Sequence, residues 1–260
     1  MNSYYENKLT TNEEKALLDE LLAKENLTPK DRMAIPVQEM PVQDPDARIH
    51  TMSEVALGYT KTQAQLEALR CLQCKTAPCI KGCPVNINIP AFIAKIAHDD
   101  IQGAAAIIRE TNLLPAICGR VCPQEKQCQE PCTLGKSLKD VGKAVQIGRL
   151  ERYVADRERA QGIIALPDIA PPTGKKVAIV GSGPAGLTVA ADVRRNGHEV
   201  VVFEAFQKGG GVMVYGIPEF RLPKAIVQEE ISKLEKMGVR FEYNTLIGET
   251  RPLMALFDED

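Results

Sequence analysis

Histidine is scarce in this 260-residue chain, and its three copies stand far apart at His50, His98 and His198. None of them shares a ligand spacing, so imidazole metal sites are not expected, and no acid–base or nucleophilic set stands out to name as catalytic. Excess charge of either sign is also missing, the formal net charge being -2. That balance gives no electrostatic reason to expect nucleic acid or an anionic membrane as partner. Nowhere do about 18 apolar residues run together, and MNSYYENKLTTNEEK has no apolar stretch behind a basic cluster. A membrane span and a secretory leader are therefore not expected, and the expected location is the cytoplasm. What remains, 44% hydrophobic and 25% charged residues, is the composition of an ordinary folded protein with one large or two small domains.

A reducing compartment leaves cysteines free for metals, and all eight fall between Cys71 and Cys132. The first group, CLQCKTAPCIKGCP, reads C-x2-C-x4-C-x3-C-P. The second, CGRVCPQEKQCQEPC, reads C-x3-C-P-x4-C-x3-C. Ferredoxin runs of similar build hold 4Fe-4S clusters, three thiolates serving one cluster while the cysteine before proline serves the other. Two such clusters are expected. Paired structural zinc sites would also consume eight thiolates, but the Cys-Pro steps and uneven spacings are not those of zinc ribbons. By the ferredoxin crossover, Cys71, Cys74, Cys79 and Cys132 go to one cluster, and Cys83, Cys122 and Cys128 to the other. The eighth ligand is either Cys118, four residues before Cys122, or Glu151, an acid on the apolar stripe of Ile147, Leu150 and Val154. The competing readings are a surface acid paired with Arg149 or Arg152, and a Cys118 that acts as a small buried hydrophobe.

Around the cysteines the pattern is helical, with no strand period in this half. Residues 1–50 combine a short helix, opened by a Thr11–Glu14 capping box, with an arm punctuated by Pro36, Pro41 and Pro45 that is expected to drape over a partner surface. Residues 51–162 form the cluster domain. Its first helix is expected to begin at Thr62 with Gln65 reaching back, and two further helices break near Asp99 and Asp100 and stop at Pro115. Residues 163–174, rich in proline, read as a linker. From 175 to 260 the order KKVAIV, PAGLTVAADVRRNG, HEVVVFE, KAIVQEEISKLEKMG, VRFEYN is a βαβαβ alternation and predicts a parallel sheet.

That second domain carries Gly181-Ser182-Gly183-Pro184-Ala185-Gly186 between an apolar strand and an amphipathic helix. Glu204 and Ala205 close the next strand. In this context G-x-G-x-x-G is a dinucleotide fingerprint. Gly181 permits the tight turn, Gly183 admits the pyrophosphate, Gly186 lets the helix pack on the strand, and Glu204 suits a ribose diol. The fingerprint alone leaves FAD and NAD open. The following KGGGVMVYGIPEFRLPK tips the reading to FAD, with Gly210 and Gly211 bringing backbone close to a flat or charged group and Arg221 facing phosphate.

These segments, with ALGYTKTQAQLEALRCLQCK, CGRVCP, IGRLERY, GSGPAGL and YGIPEFRLPK, resemble the small subunit of NADPH-dependent glutamate synthase. The same resemblance extends to the flavin and cluster half of dihydropyrimidine dehydrogenase and to the larger subunit of NADH-dependent ferredoxin:NADP reductases. It implies an all-α domain with two 4Fe-4S clusters, then a Rossmann-like FAD domain, in an oxidoreductase that passes electrons from NADPH through FAD to the clusters. It also implies a partner, either a large catalytic subunit or another electron acceptor. In such relatives a non-cysteine ligand comes from a segment like IGRLERY, which favours Glu151 over Cys118. Relatives carry a second glycine motif for the nicotinamide cofactor, and none follows Glu204 here, so the FAD domain is expected to be partial and the NADPH site to lie in a part this sequence lacks. The alternatives are a non-catalytic electron-transfer or docking module, and a subunit of the ferredoxin:NADP reductase or sulfide dehydrogenase type.

Overall fold

The computed structural model describes residues 10–162 and 166–258. Contacts divide the chain into two units, Met1–Thr51 with Val55–Ile163, and Met52–Glu54 with Ile164–Asp260.

The first unit is built from helices α1 (Asn12–Leu22), α2 (Pro29–Ala34), α3 (Pro45–Arg48), α4 (Lys61–Leu69), α5 (Pro78–Gly82), α6 (Ile89–Ala97), α7 (Ile101–Arg109), α8 (Pro115–Val121), α9 (Thr133–Ser137) and α10 (Ile147–Ala160). Among its described residues the only strand-like pairing is one isolated bridge, Val42 with Ala56. The Thr11–Glu14 capping box forms as the sequence indicates. For α4 the cap lies two residues earlier than expected: Thr60 and Gln63 make the box. Both Thr60 and Thr62 have glutamine three residues on. Tertiary contacts decide between them, because the Thr10 hydroxyl donates to Thr60 at 2.9 Å and Gln65 donates instead to the Ala97 carbonyl at 3.3 Å. The break between α6 and α7 falls where expected, with Asp99 in the left-handed region (φ 61°) and Asp100 capping α7. Pro115 does not stop a helix there. It opens α8, since its missing N–H and fixed φ suit a first turn.

The N-terminal arm packs its inner side on its own unit. Ile35 and Gln38 are buried, the Tyr59 hydroxyl donates to the Gln38 carbonyl at 2.7 Å, and Gln43 N–H donates to Val55 at 2.9 Å. Beneath it lies a fully buried charge pair, Glu67 on α4 and Arg70 just after it. The Glu67 carboxylate also takes the N–H groups of Gln38 and Gln146, both at 2.9 Å. Arg70 donates to the carbonyls of Ile35, Lys143 and Ala144. One pair thus ties the arm, the approach to the first cysteine and the approach to α10.

The core gathers Leu66, Phe92, Ile93, Ile96, Ile108 and Leu150. Helix α10 packs against α4, α6, α7 and most closely α8. Gly119 makes that approach possible, for a Cβ there would lie 2.6 Å from the Arg152 backbone nitrogen.

The second unit is a parallel sheet in order β1-β2-β3, with β1 (Lys176–Val180), β2 (Glu199–Phe203) and β3 (Arg240–Glu242). Val177 pairs with Val200 and Val180 with Phe203, while Phe203 pairs with Glu242. Helix α11 (Pro184–Arg195) lies on β1 and β2 and touches α13 (Lys224–Lys236), which also packs on the short α12 (Val212–Tyr215). Helix α14 (Ala255–Asp258) closes the described chain. β2 is buried along Val200–Phe203, but in β1 only Ile179 is buried, and Val180 is 58% exposed. No helix among the described residues is long and apolar enough to cross a membrane.

Candidate metal and dinucleotide sites

The two cysteine groups exchange members in space. Cys71 and Cys74 follow α4, Cys79 lies on α5, and Cys132 comes from the second group to cap α9; all four line one cavity, walled by Ile89, Ile93 and Ile147. The chain bends sharply to arrange them: Gln73 (φ 50°) and Ala77 (φ 37°) take left-handed conformations that cost about 1–3 kcal/mol each and concentrate at functional sites. Burial pushes the Cys71 thiol up to about 11 and the Cys79 thiol up to about 12, and each neighbouring thiolate adds to the rise. The Arg32 guanidinium opposes it, donating to the Cys71 and Leu69 carbonyls at 3.0 and 2.9 Å.

Cys83, in turn, stands among the second group. Gly82 abuts the Gln127 carbonyl and Pro131, and Cys128 lies within electrostatic reach of Cys83, Cys122 and Glu151. Burial, reinforced by those neighbours, pushes Cys128 up to about 12. Cys118 and Cys122 are one turn apart on and after α8, and the Cys118 thiol hydrogen-bonds the Cys122 sulfur, which raises Cys118 and lowers Cys122 to about 7. All eight cysteines are free.

Glu151 is not a surface acid paired with Arg149 or Arg152. It is 7% exposed on the α10 face turned to α8, and Asn112 Nδ2 donates to its Oε1 at 2.6 Å. Burial first, and Cys122 second, push its carboxyl up to about 8. Arg152 turns away, to Asp156 at 3.1 Å and the Ala56 carbonyl at 2.8 Å. Asn112 was invisible to sequence reasoning, because its partner lies 39 residues away. Only its place before Leu114-Pro115, a turn signal, marked it.

These donors fit clusters. Burial pushes the Cys71, Cys79 and Cys128 thiols up, and a cationic iron core would supply the positive charge that favours their thiolates. Tetrahedral zinc needs sulfurs about 3.8 Å apart, at 2.3 Å from one ion. Among the described residues no group of three or more His, Cys, Asp or Glu converges to hold a single metal ion.

In the second unit the fingerprint turn joins β1 to α11. Gly181 has φ 95°, and a Cβ on Gly186 would stand 2.0 Å from the Gly181 carbonyl oxygen, so the helix can seat only with glycine there. Gly183 caps α11 and would meet nothing within 4 Å; its neighbours Pro184 and Ala185 are exposed. No side chain caps the helix, so its first N–H groups are left for an anion. Glu204 is folded inward: Oε2 accepts from Ser182 N–H at 2.9 Å and from the Ser182 hydroxyl, and Oε1 from Phe206 N–H at 2.9 Å. Burial would raise its carboxyl, but these donors outweigh burial and hold it below the usual range. The glycines after β2 approach the fingerprint turn itself: Gly210 N–H donates to the Ser182 carbonyl at 3.1 Å and hydroxyl at 3.0 Å, and a Cβ on Gly211 would lie 3.0 Å from Gly183 Cα. Ala205 and Arg221 are exposed.

Comparisons with known proteins agree with both halves. Residues 48–163 match the family described as dihydropyrimidine dehydrogenase domain II, 4Fe-4S cluster, and residues 179–219 match the NAD(P)-binding Rossmann-like domain. The NAD-dependent dihydropyrimidine dehydrogenase subunit PreT of Escherichia coli (strain K12) is 40% identical over 212 residues, 80% of this chain and 50% of that protein. The glutamate synthase [NADPH] small chain of Halomonas elongata is 38% identical over 224 residues, 84% of this chain and 46% of that protein. That of Escherichia coli (strain K12) is 40% identical over 197 residues, 75% and 40%. The resemblance to glutamate synthase small chains therefore holds, and the chain carries a 4Fe-4S family domain followed by a Rossmann-like domain. It spans about half the length of the curated relatives it matches.

Proposed function

We propose that this chain forms the cluster-bearing and dinucleotide-binding portion of an NAD(P)H-linked flavin oxidoreductase, carrying electrons between FAD and two 4Fe-4S clusters. Cys71, Cys74, Cys79 and Cys132 hold one cluster; Cys83, Cys122, Cys128 and Glu151 hold the other, with Cys118 left as a thiol. The observation that carries this reading is the exchange of Cys83 and Cys132 between the groups, the crossover that ferredoxin-type sites use. When bound, the clusters supply one-electron storage and transfer. The chain's own residues exclude water around the sulfurs with Ile89, Ile93 and Ile147, and Glu151 supplies an oxygen donor in place of a thiolate.

The Rossmann turn is proposed to take the ADP half of FAD, with pyrophosphate at the open N-terminus of α11 and the ribose at Glu204. Donors from Ser182 and Phe206 within the loop orient the Glu204 carboxylate, and the ribose is proposed to meet it there. Nicotinamide chemistry and a larger catalytic partner are carried over from relatives whose names describe them as NAD- or NADPH-linked subunits or small chains. Substitution tests the cluster assignment: Cys132→Ala is expected to remove the cluster of the Cys71 group, and Cys83→Ala the other, each seen by paramagnetic resonance of the reduced protein. Loss of the clusters in the opposite pairing would contradict it.

A further inference from the structure

Asn112 lies on the turn before α8, the helix that delivers Cys118 and leads to Cys122, and its side chain reaches across to α10, which delivers Glu151. It is 5% exposed. Both ends of its amide are committed. Nδ2 donates to Glu151 Oε1 at 2.6 Å, and Oδ1 accepts the Leu114 N–H at 3.0 Å. A flipped amide would set its NH2 against the Leu114 N–H and its oxygen against a carboxylate, so the backbone bond fixes which end faces Glu151. One carboxylate oxygen is thereby held, and the other is left for a second partner.

We infer that Asn112 is the positioning residue of the second cluster: its amide orients the Glu151 carboxylate toward the sulfurs of Cys83, Cys122 and Cys128. This rests on the reading of Glu151 as a ligand. Metal-bound carboxylates are in turn hydrogen-bonded, and losing such a partner typically costs 10–100-fold in metal affinity. Withdrawing the amide N–H also leaves more negative charge on the ligating group, which favours the oxidised cluster and lowers its potential.

Asn112→Ser separates this role from a structural one. Serine keeps an acceptor for the Leu114 N–H two residues on, but is too short to reach Glu151. The full chain is purified anaerobically, and iron loss to a ferrous chelator and the potential of each cluster are compared with wild type and with Glu151→Ala. The expected result is that the second cluster loses iron roughly 10-fold faster or more and its potential falls, while the cluster of the Cys71 group is unchanged. Wild-type lability and potential in Asn112→Ser, alongside a second cluster altered by Glu151→Ala, would overturn the inference alone. An unaltered second cluster in Glu151→Ala would overturn the ligand reading beneath it. Should Asn112→Ser lose both clusters together, Asn112→Thr, likewise an uncharged acceptor too short to reach Glu151, is read by the same criteria.

Discussion

Replacing Arg70 by methionine removes four hydrogen bonds at once, to Glu67 and to the carbonyls of Ile35, Lys143 and Ala144. The Glu67 carboxylate stays behind, 0% exposed, with only the N–H groups of Gln38 and Gln146 to hold its charge. Breaking a buried pair in this way costs about 3–5 kcal/mol, because the orphaned ion keeps its desolvation penalty. For a domain of this size that is a fall of about 6–20 °C in the melting temperature. The loss has a pH signature. Burial already raises the Glu67 carboxyl above its ordinary 4.5, against the pull of Arg70, and without Arg70 it rises further. A raised folded-state value means that stability is fully present below about pH 4.5 and is lost as pH climbs through the folded value, so the deficit of Arg70→Met grows with pH. Glu67→Gln combined with Arg70→Met removes the stranded charge, keeps an acceptor for the Gln38 and Gln146 N–H groups, and should recover about 0.5–3 kcal/mol of the loss. The assay is anaerobic thermal unfolding by circular dichroism at several pH values. A double variant as unstable as the sum of its singles, or an Arg70→Met deficit independent of pH, would refute the reasoning.

The fingerprint glycines should separate folding from binding. Gly183→Ala meets nothing within 4 Å at φ -66°, so melting should stay within about 0.5 kcal/mol of wild type while retained flavin falls; Gly186→Ala would clash with the Gly181 carbonyl and should lose both stability and flavin. Bound flavin and melting temperature measured on the same samples check this. Glu204 predicts the opposite pH trend to Glu67: its lowered carboxyl adds stability above about pH 4.5 that is lost as pH falls, so Glu204→Gln should flatten the acid limb of urea unfolding for the second unit. An acid limb as steep in Glu204→Gln as in wild type would show that Ser182 and Phe206 do not stabilise the ionised form.

Much of this was legible because the sequence pattern is local. The βαβαβ order, the Thr11–Glu14 box and the break at Asp99–Asp100 each depend on neighbours within a few residues. What escaped was set by distant contacts. Thr60 rather than Thr62 caps α4 because Thr10 and Ala97 engage the neighbouring side chains, and the proline-rich arm folds home because Glu67 and Tyr59 supply partners for Gln38. Glycines 210 and 211 signalled a close approach correctly, but the surface approached is the fingerprint turn. Asn112 carried no spacing that links it to Glu151, since an Asx turn is satisfied locally and its second bond is seen only once α8 and α10 are packed.

The most direct test of the central claim is the iron, acid-labile sulfide and flavin content of the anaerobically purified chain. Two 4Fe-4S clusters predict about eight irons and about eight sulfides per chain, with FAD bound at the Rossmann turn. Zinc in place of iron, or iron without acid-labile sulfide, would contradict the account.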